Sequence, residues 1–286
     1  MDNLNYYIIN FDNKNKDKHL SLIQSEIGGG RIDIKTIDNI KDFPEKKEIS
    51  ISGLTQKTFD YFIDKYAQQF KAINFWKCPL ISNLEDIATL SNIECITYFW
   101  NQRAESFWNF SKTKSLRILH FDDFTKLHDL SELSNASSLI ELQFGNKIWS
   151  KYILNSLEPI SKCFQLKRFF FNAKKIIENR IEPLAKLQNL DEIGFASKLF
   201  KTEQVAWLKA RLPKTIKSEV LNPFLIIDRP IETRGKKIDT ILVGKGKPNL
   251  DSNLDAVKIE KYVEEFTKMY EWFLKNSNAL PDDYLK

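Results

Sequence analysis

The apolar positions fall into a two-part pattern that recurs along most of the chain. Around its middle the sequence reads Leu116-x-x-Leu119-x-Phe121, then Leu127-x-x-Leu130-x-x-Leu133, then Leu139-x-x-Leu142-x-Phe144. The first and last of these are short alternating strand patterns, and the stretch between them carries apolar residues every third position. The strand centres are Ile49, Ile73, Ile96, Leu119, Leu142, Phe169, Ile193 and, weakly, Ile216, so the step is 23 or 24 residues except for one of 27 before Phe169. Two places after each centre stands a second large apolar residue: Ile51, Phe75, Tyr98, Phe121, Phe144, Phe171 and Phe195. The eighth unit has Ser218 there and reads as degenerate. Alternation sends both columns to one face of the strand, into a core. The return segments, such as Phe59/Phe62/Tyr66, Leu84/Ile87/Leu90 and Ile181/Leu184/Leu187, space their apolar residues by three or four, which predicts short helices or 3₁₀ turns with one buried stripe.

A fixed step of this length marks a stacked solenoid, in which each unit buries its apolar face only against its neighbours. Residues 46–220 resemble leucine-rich repeats. The resemblance implies an α/β horseshoe whose parallel β-sheet lines the concave side, with seven to eight repeats. Residues 1–45 are expected to form an N-terminal cap and residues 221–286 a C-terminal α/β cap, since end repeats need covers. Within the first segment Tyr6–Phe11 and Arg31–Ile37 are strand candidates, and Asn13–Lys18 and Gly28–Arg31 are turns. Within the last, Val220–Ile227 and Ile238–Val243 read as strands around a charged loop, Asp228–Lys237. Asp255–Asn276 reads as an amphipathic helix with Val257, Ile259, Val263, Phe266, Tyr270 and Phe273 on its apolar stripe. One departure from the family is plain. The position that usually holds a turn-bridging Asn carries Leu54, Cys78, Asn101, Phe124, Lys147, Lys174 and Lys198, and only Asn101 fits.

The 286 residues carry 43 basic and 38 acidic side chains, a weak excess that argues against a dedicated nucleic-acid binder. Cys78, Cys95 and Cys163 are scattered and odd in number, which suits a reducing compartment. The chain shows no signal peptide and no apolar run of about 18 residues, so the expected location is the cytoplasm. Candidate chemistry is sparse. His19, His120 and His128 are not spaced as metal ligands, and no nucleophile elbow or dinucleotide fingerprint occurs. Gly244-Lys-Gly-Lys has the composition of a phosphate loop without its spacing and reads as a basic turn. Some leucine-rich repeat proteins carry a cysteine-dependent ligase after the repeats, but no cysteine lies beyond Cys163. The expectation is a non-enzymatic chain without a cofactor.

What remains is a surface. The outward columns of the strands place Asn74, Trp76, Thr97, Phe99, His120 and Asp122 side by side, with Trp100 at a strand end and Phe170 further along. Exposed aromatics on a soluble protein mark a partner or a cover. These eight residues are the candidate contacts for a protein partner on the concave face, of inhibitor, immunity or regulatory-subunit type. Were Trp76 and Phe99 exposed, replacing both by alanine would leave thermal stability nearly unchanged. Alternatively the N-terminal segment covers the patch, and Ile148 or Trp149 covers Phe170. The basic stretch Arg229–Lys247 supplies a second reading, a binder of nucleic acid or another anionic surface.

Overall fold

A computed structural model of the chain describes residues 17–26, 30–148, 152–233 and 235–285. Strands β1 (His19–Leu22), β2 (Glu48–Ser52), β3 (Ala72–Trp76), β4 (Cys95–Asn101), β5 (Ile118–Phe124), β6 (Glu141–Gly145), β8 (Arg168–Asn172) and β10 (Glu192–Phe195) form one eight-stranded sheet, each pairing with the strand of the adjacent unit. Every pairing is parallel, and the register aligns Ile49, Ile73, Ile96, Leu119, Leu142, Phe169 and Ile193 in one row. All seven are at most 2% exposed. This is a leucine-rich repeat solenoid.

The return segments follow from their length and spacing. A 23-residue unit leaves few residues for the way back, and apolar residues every third position suit the three-per-turn 3₁₀ helix. Short 3₁₀ helices accordingly occupy Glu85–Thr89, Phe110–Lys112, Ser131–Asn135, Glu158–Lys162 and Glu182–Lys186. Pro159 and Pro183 sit in their first turns, where no amide donor is needed. α-Helices replace them in the first and last repeats. Helix α2 (Gln56–Lys65) starts at a reciprocal Thr55–Thr58 cap, and α3 (Thr202–Arg211) closes the series. The eighth unit reaches the sheet only through an isolated bridge between Glu192 and Lys217.

Four places after each of the first four strand centres one residue turns into the left-handed region: Gly53 (φ 73°), Lys77 (53°), Trp100 (68°) and Asp123 (56°). A Cβ at Gly53 would stand 1.7 Å from the Gly30 carbonyl oxygen, so glycine is required there. Asn101, the one residue fitting the turn-bridging position, donates to the Ile81 carbonyl (2.9 Å) and accepts from the Arg103 and Ala104 amides. In the long repeat β7 (Ile153–Leu154) pairs with β9 (Lys175–Ile176) of the next repeat in a separate two-stranded parallel sheet.

Three expectations are corrected. Arg31–Ile37 is not a strand: the Asp33 carboxylate caps helix α1 (Ile34–Asp38) by accepting from the Thr36 amide at 2.8 Å. The sheet instead starts earlier than Lys46, with β1. The segment Asp228–Lys237 is not a loop but the outer part of a hairpin, β11 (Phe224–Thr233) with β12 (Lys236–Leu242). Its charged residues lie on exposed strands, and a register shift between Ile226 and Ile231 brackets Pro230, where a ladder amide is missing. Finally, in helix α4 (Ala256–Lys275) the buried residues are Tyr262, Phe266 and Phe273, while Val257 is exposed. The expected strand Tyr6–Phe11 and most of the turns at Asn13–Lys18 and Gly28–Arg31 lie outside the described residues.

Helix α4 packs on α3, and Arg211 donates to the carbonyls of Phe273, Asn276 and Ala279 at its C-terminal end. At the other end Asp255 accepts from Lys258 (2.6 Å) and Lys236 (3.0 Å), joining α4 to the hairpin. These hydrogen bonds, Lys258 foremost, depress the Asp255 carboxyl from 3.8 to about 2. A depressed carboxyl stabilises the fold above its unfolded value and loses that contribution as pH falls through its folded value. Between about pH 4 and pH 2 the wild type should therefore lose stability that Asp255→Asn lacks throughout. Denaturation midpoints across that window test this, and parallel curves would refute it.

Candidate interaction face

Alternation sends the residues between the core columns to the concave side of the sheet. There, side chains of neighbouring strands find one another first. Thr97 donates its hydroxyl to Asn74 Oδ1 (2.9 Å), and the Asn74 amide donates to Ser50 Oγ (3.1 Å). Ala72, Cys95 and Ile118 form a fully buried apolar strip beside this ladder. Further along, Glu141 accepts from Arg168 Nε, and its other oxygen lies 2.6 Å from His120 Nε2. Glu141 is buried, so this carboxylate is held on both sides by cationic or polar nitrogen.

The aromatic patch is real but is arranged differently from the expectation. The Trp76 and Phe99 rings lie 4.6 Å apart at 32°. The Lys77 ammonium stands 5.8 Å from the Trp76 centroid, and that of Lys147 stands 5.6 Å from Phe99. Phe99 is thereby only 6% exposed, whereas Trp76 stays half-buried. The expectation that Phe99 is an open anchor is corrected: it supports Trp76. Trp100 occupies the left-handed turn position and is half-buried.

Asp122 and Phe170 meet in a groove of about 480 Å³ over β5, β6, β8 and β10, whose walls also include Gln143, Lys147, Asn172 and Gly194. Gly194 is what lets the Phe170 ring lie across the sheet, because a Cβ there would come within 2.7 Å of the ring. Ile148, a suggested cover for Phe170, is 64% exposed, and Trp149 lies outside the described residues. Burial raises the Asp122 carboxyl, opposed by Lys147 at 4.0 Å. A raised carboxyl favours folding below its unfolded pKa, and that contribution is lost as pH rises through the folded value. Asp122→Asn should therefore gain stability relative to wild type as pH rises from 3 to 8. Denaturation at stepped pH checks the sign, and a relative loss would overturn it.

The eight sequence-derived residues thus fall into three groups on one face: the Asn74–Thr97 ladder, the Trp76–Phe99 stack with Trp100 near it, and the His120 and Asp122–Phe170 region. Glu141, Arg168, Gln143 and Gly194 stand in the same outward columns of the sequence, with Lys147 near them, but were not among the chosen contacts. Glu141 and Arg168 occupy the same place in consecutive strands, so their pairing was available from the repeat register. Lys147 sits at the start of an insertion whose path the repeat does not dictate.

The alternative surface is engaged in part, with Arg229, Lys237 and Lys245 exposed. Lys236 serves Asp255, the Lys247 ammonium lies 5.2 Å from the Tyr262 ring, and Arg234 is outside the described residues. In the Gly244–Lys247 turn the amides of Gly244, Lys245 and Lys247 donate to Ser197, Phe200 and Gly244 carbonyls, so they form no anion cradle. Among the described residues no group of three His, Cys, Asp or Glu side chains is placed to hold a metal, and no helix is long and apolar enough to cross a membrane.

No protein-family model and no curated protein matches the sequence. Among solved structures the chain is similar to one from the Toll–Spatzle complex of Drosophila, at 12% identity and a TM-score of 0.47, covering 64% of this chain and 25% of that one. It is also similar to internalin C2 of Listeria monocytogenes, at 17% identity and TM-score 0.32, covering 60% and 92% respectively. For internalin F of the same organism the values are 12%, 0.31, 66% and 64%.

Proposed function

We propose that this leucine-rich repeat solenoid is a non-enzymatic interaction module that docks a protein partner on its concave face. The observation that carries the reading is the groove at Phe170, Gly194 and Asp122, on the same face as the half-buried Trp76 ring. An open groove with an aromatic wall and a few polar groups is suited to receiving a partner's side chain, and Trp is enriched among binding hot spots. Asn74, Thr97, Trp100 and His120 flank these anchors and would set orientation, with Phe99 backing Trp76. Regulation of the partner by occlusion, as an inhibitor, immunity protein or regulatory subunit would achieve it, needs no chemistry from this chain. The three cysteines are all buried free thiols, which supports a cytoplasmic setting.

Capture from host lysate tests the proposal. Wild-type protein should retain a stoichiometric partner that Trp76→Ala/Phe170→Ala loses, each ring contributing about 2 kcal/mol. Thermal unfolding of the variant establishes that it is folded. Equal capture by both forms would move the site off the concave face.

A further inference from the structure

Because the sheet is parallel, its strand ends line two opposite rims. Beside the groove, the rim following the strands carries exposed Lys147, Lys174 and Lys175. The rim preceding the strands carries exposed Arg117, Lys167 and Lys217. Acids are fewer there: Glu178 accepts from Ser156, and Asp191 is exposed. The repeats instead keep acids in the first turns of their return helices, at Glu85, Asp86, Glu132, Glu158 and Glu182, away from the sheet. On the concave floor the Glu141 carboxylate is held by Arg168 and His120, and Asp122 lies 4.0 Å from Lys147. With Lys147 counted on the rim, the floor keeps Asp122, Glu141 and Glu192 against Arg168, so the floor is acidic and the rims are positive.

We infer that the concave face receives an acidic protein segment that lays its carboxylates along the two rims and an apolar side chain in the Phe170 groove. This rests on the concave-face reading and names the chemistry of its partner. Charge complementarity selects the acid, because opposed potentials steer encounter and fix register. Polypeptide is favoured over nucleic acid by the floor. A phosphate backbone would run over Asp122, Glu141 and Glu192, whereas a peptide can hold its acids at the rims. The Phe99 ring is also closed to base stacking by Trp76 and Lys147.

The test uses fluorescein-labelled dodecapeptides and full-length protein. One peptide interleaves Glu with Phe and Leu, a second replaces each Glu by Lys, and a third replaces Phe and Leu by Ala. Oligo(dT) of fifteen nucleotides is the fourth probe. The Glu/Phe/Leu peptide should bind at least about tenfold tighter than either other peptide, and its affinity should fall as salt rises. Lys147→Glu/Lys174→Glu/Lys175→Glu should weaken it by at least about tenfold. Lys261→Glu/Lys268→Glu/Lys275→Glu, an equal charge change on α4, should leave it unaltered. Equal or tighter binding of the Lys peptide, absence of binding by all three peptides, or equal loss in both triple variants would overturn the inference. Tighter binding of oligo(dT), lost in the rim variant, would replace it with nucleic acid. A partner captured through Trp76 and Phe170 but indifferent to the rim variant would overturn the acidic segment alone and leave the docking face in place.

Discussion

Phe121→Ala should lower the stability of the chain by about 3–5 kcal/mol, the range for truncating a fully buried aromatic ring. Phe121 is 1% exposed and stands at the crossing of several rings. Its centroid lies 5.0 Å from Phe144 in a stacked pair, and 4.9 Å from Phe107 and 5.5 Å from Phe124 in edge-on pairs. The loss combines the transfer term of the ring with a cavity that neighbours on both sides cannot close without leaving their own strands. In a solenoid each unit is held by its neighbours, so a defect in β5 weakens the junctions to both β4 and β6. Urea denaturation followed by intrinsic fluorescence should show a lower midpoint, with Leu254→Ala, at an exposed position, changing stability by no more than about 0.5 kcal/mol. Equal effects of the two substitutions would contradict the core assignment of the Phe121 column.

The second large effect is expected at Glu141. Removing one member of a buried ionic cluster costs about 3–5 kcal/mol in general. Here the Glu141 side chain is 4% exposed and that of Arg168 is 26% exposed, so water still reaches the guanidinium and the loss for Glu141→Ala belongs at the lower end, about 3 kcal/mol. The substitution deprives Arg168 and His120 of their shared acceptor. Replacing Glu141 and Arg168 together by Leu and Met should recover most of the loss, since apolar replacements of a buried pair are often neutral or better. A double variant as unstable as the single one would show that the strand junction depends on the ionic geometry itself.

The repeat was legible because one physical rule wrote it many times. Each unit must bury a strand face and a return stripe against its neighbours, and Ile73, Ile96, Leu119 and Leu142 obey that rule at a constant step of 23. The 3₁₀ turns were legible for the same reason, from Leu127, Leu130 and Leu133. The ends were not, since a terminal segment repeats nothing. The alternation in Arg31–Ile37 suggested a strand until the Asp33–Thr36 cap is weighed. The charged residues of Asp228–Lys237 suggested a loop although they lie on a hairpin whose faces both meet water. On the concave face, Phe99 was placed on the correct side of the sheet. Its burial depends on how Trp76 and Lys147 lean across strands, which periodicity does not encode.

The register of the large sheet bears on how the chain folds. Each strand between β2 and β10 pairs with the one a single repeat away, so closing each junction confines a loop of only 23–27 residues. Parallel sheets are ordinarily slow to assemble because their pairings are distant in sequence. Here the loop entropy of every junction is small and nearly the same, so ordering can begin at any adjacent pair and spread both ways. The tail stands apart: the hydroxyls of Thr202 and Tyr262 meet at 2.8 Å across 60 residues, and Arg211 reaches carbonyls 62 to 68 residues away. Those contacts close loops more than twice as long, at an added cost of about 1 kcal/mol, so α4 is expected to dock after the solenoid junctions it packs on.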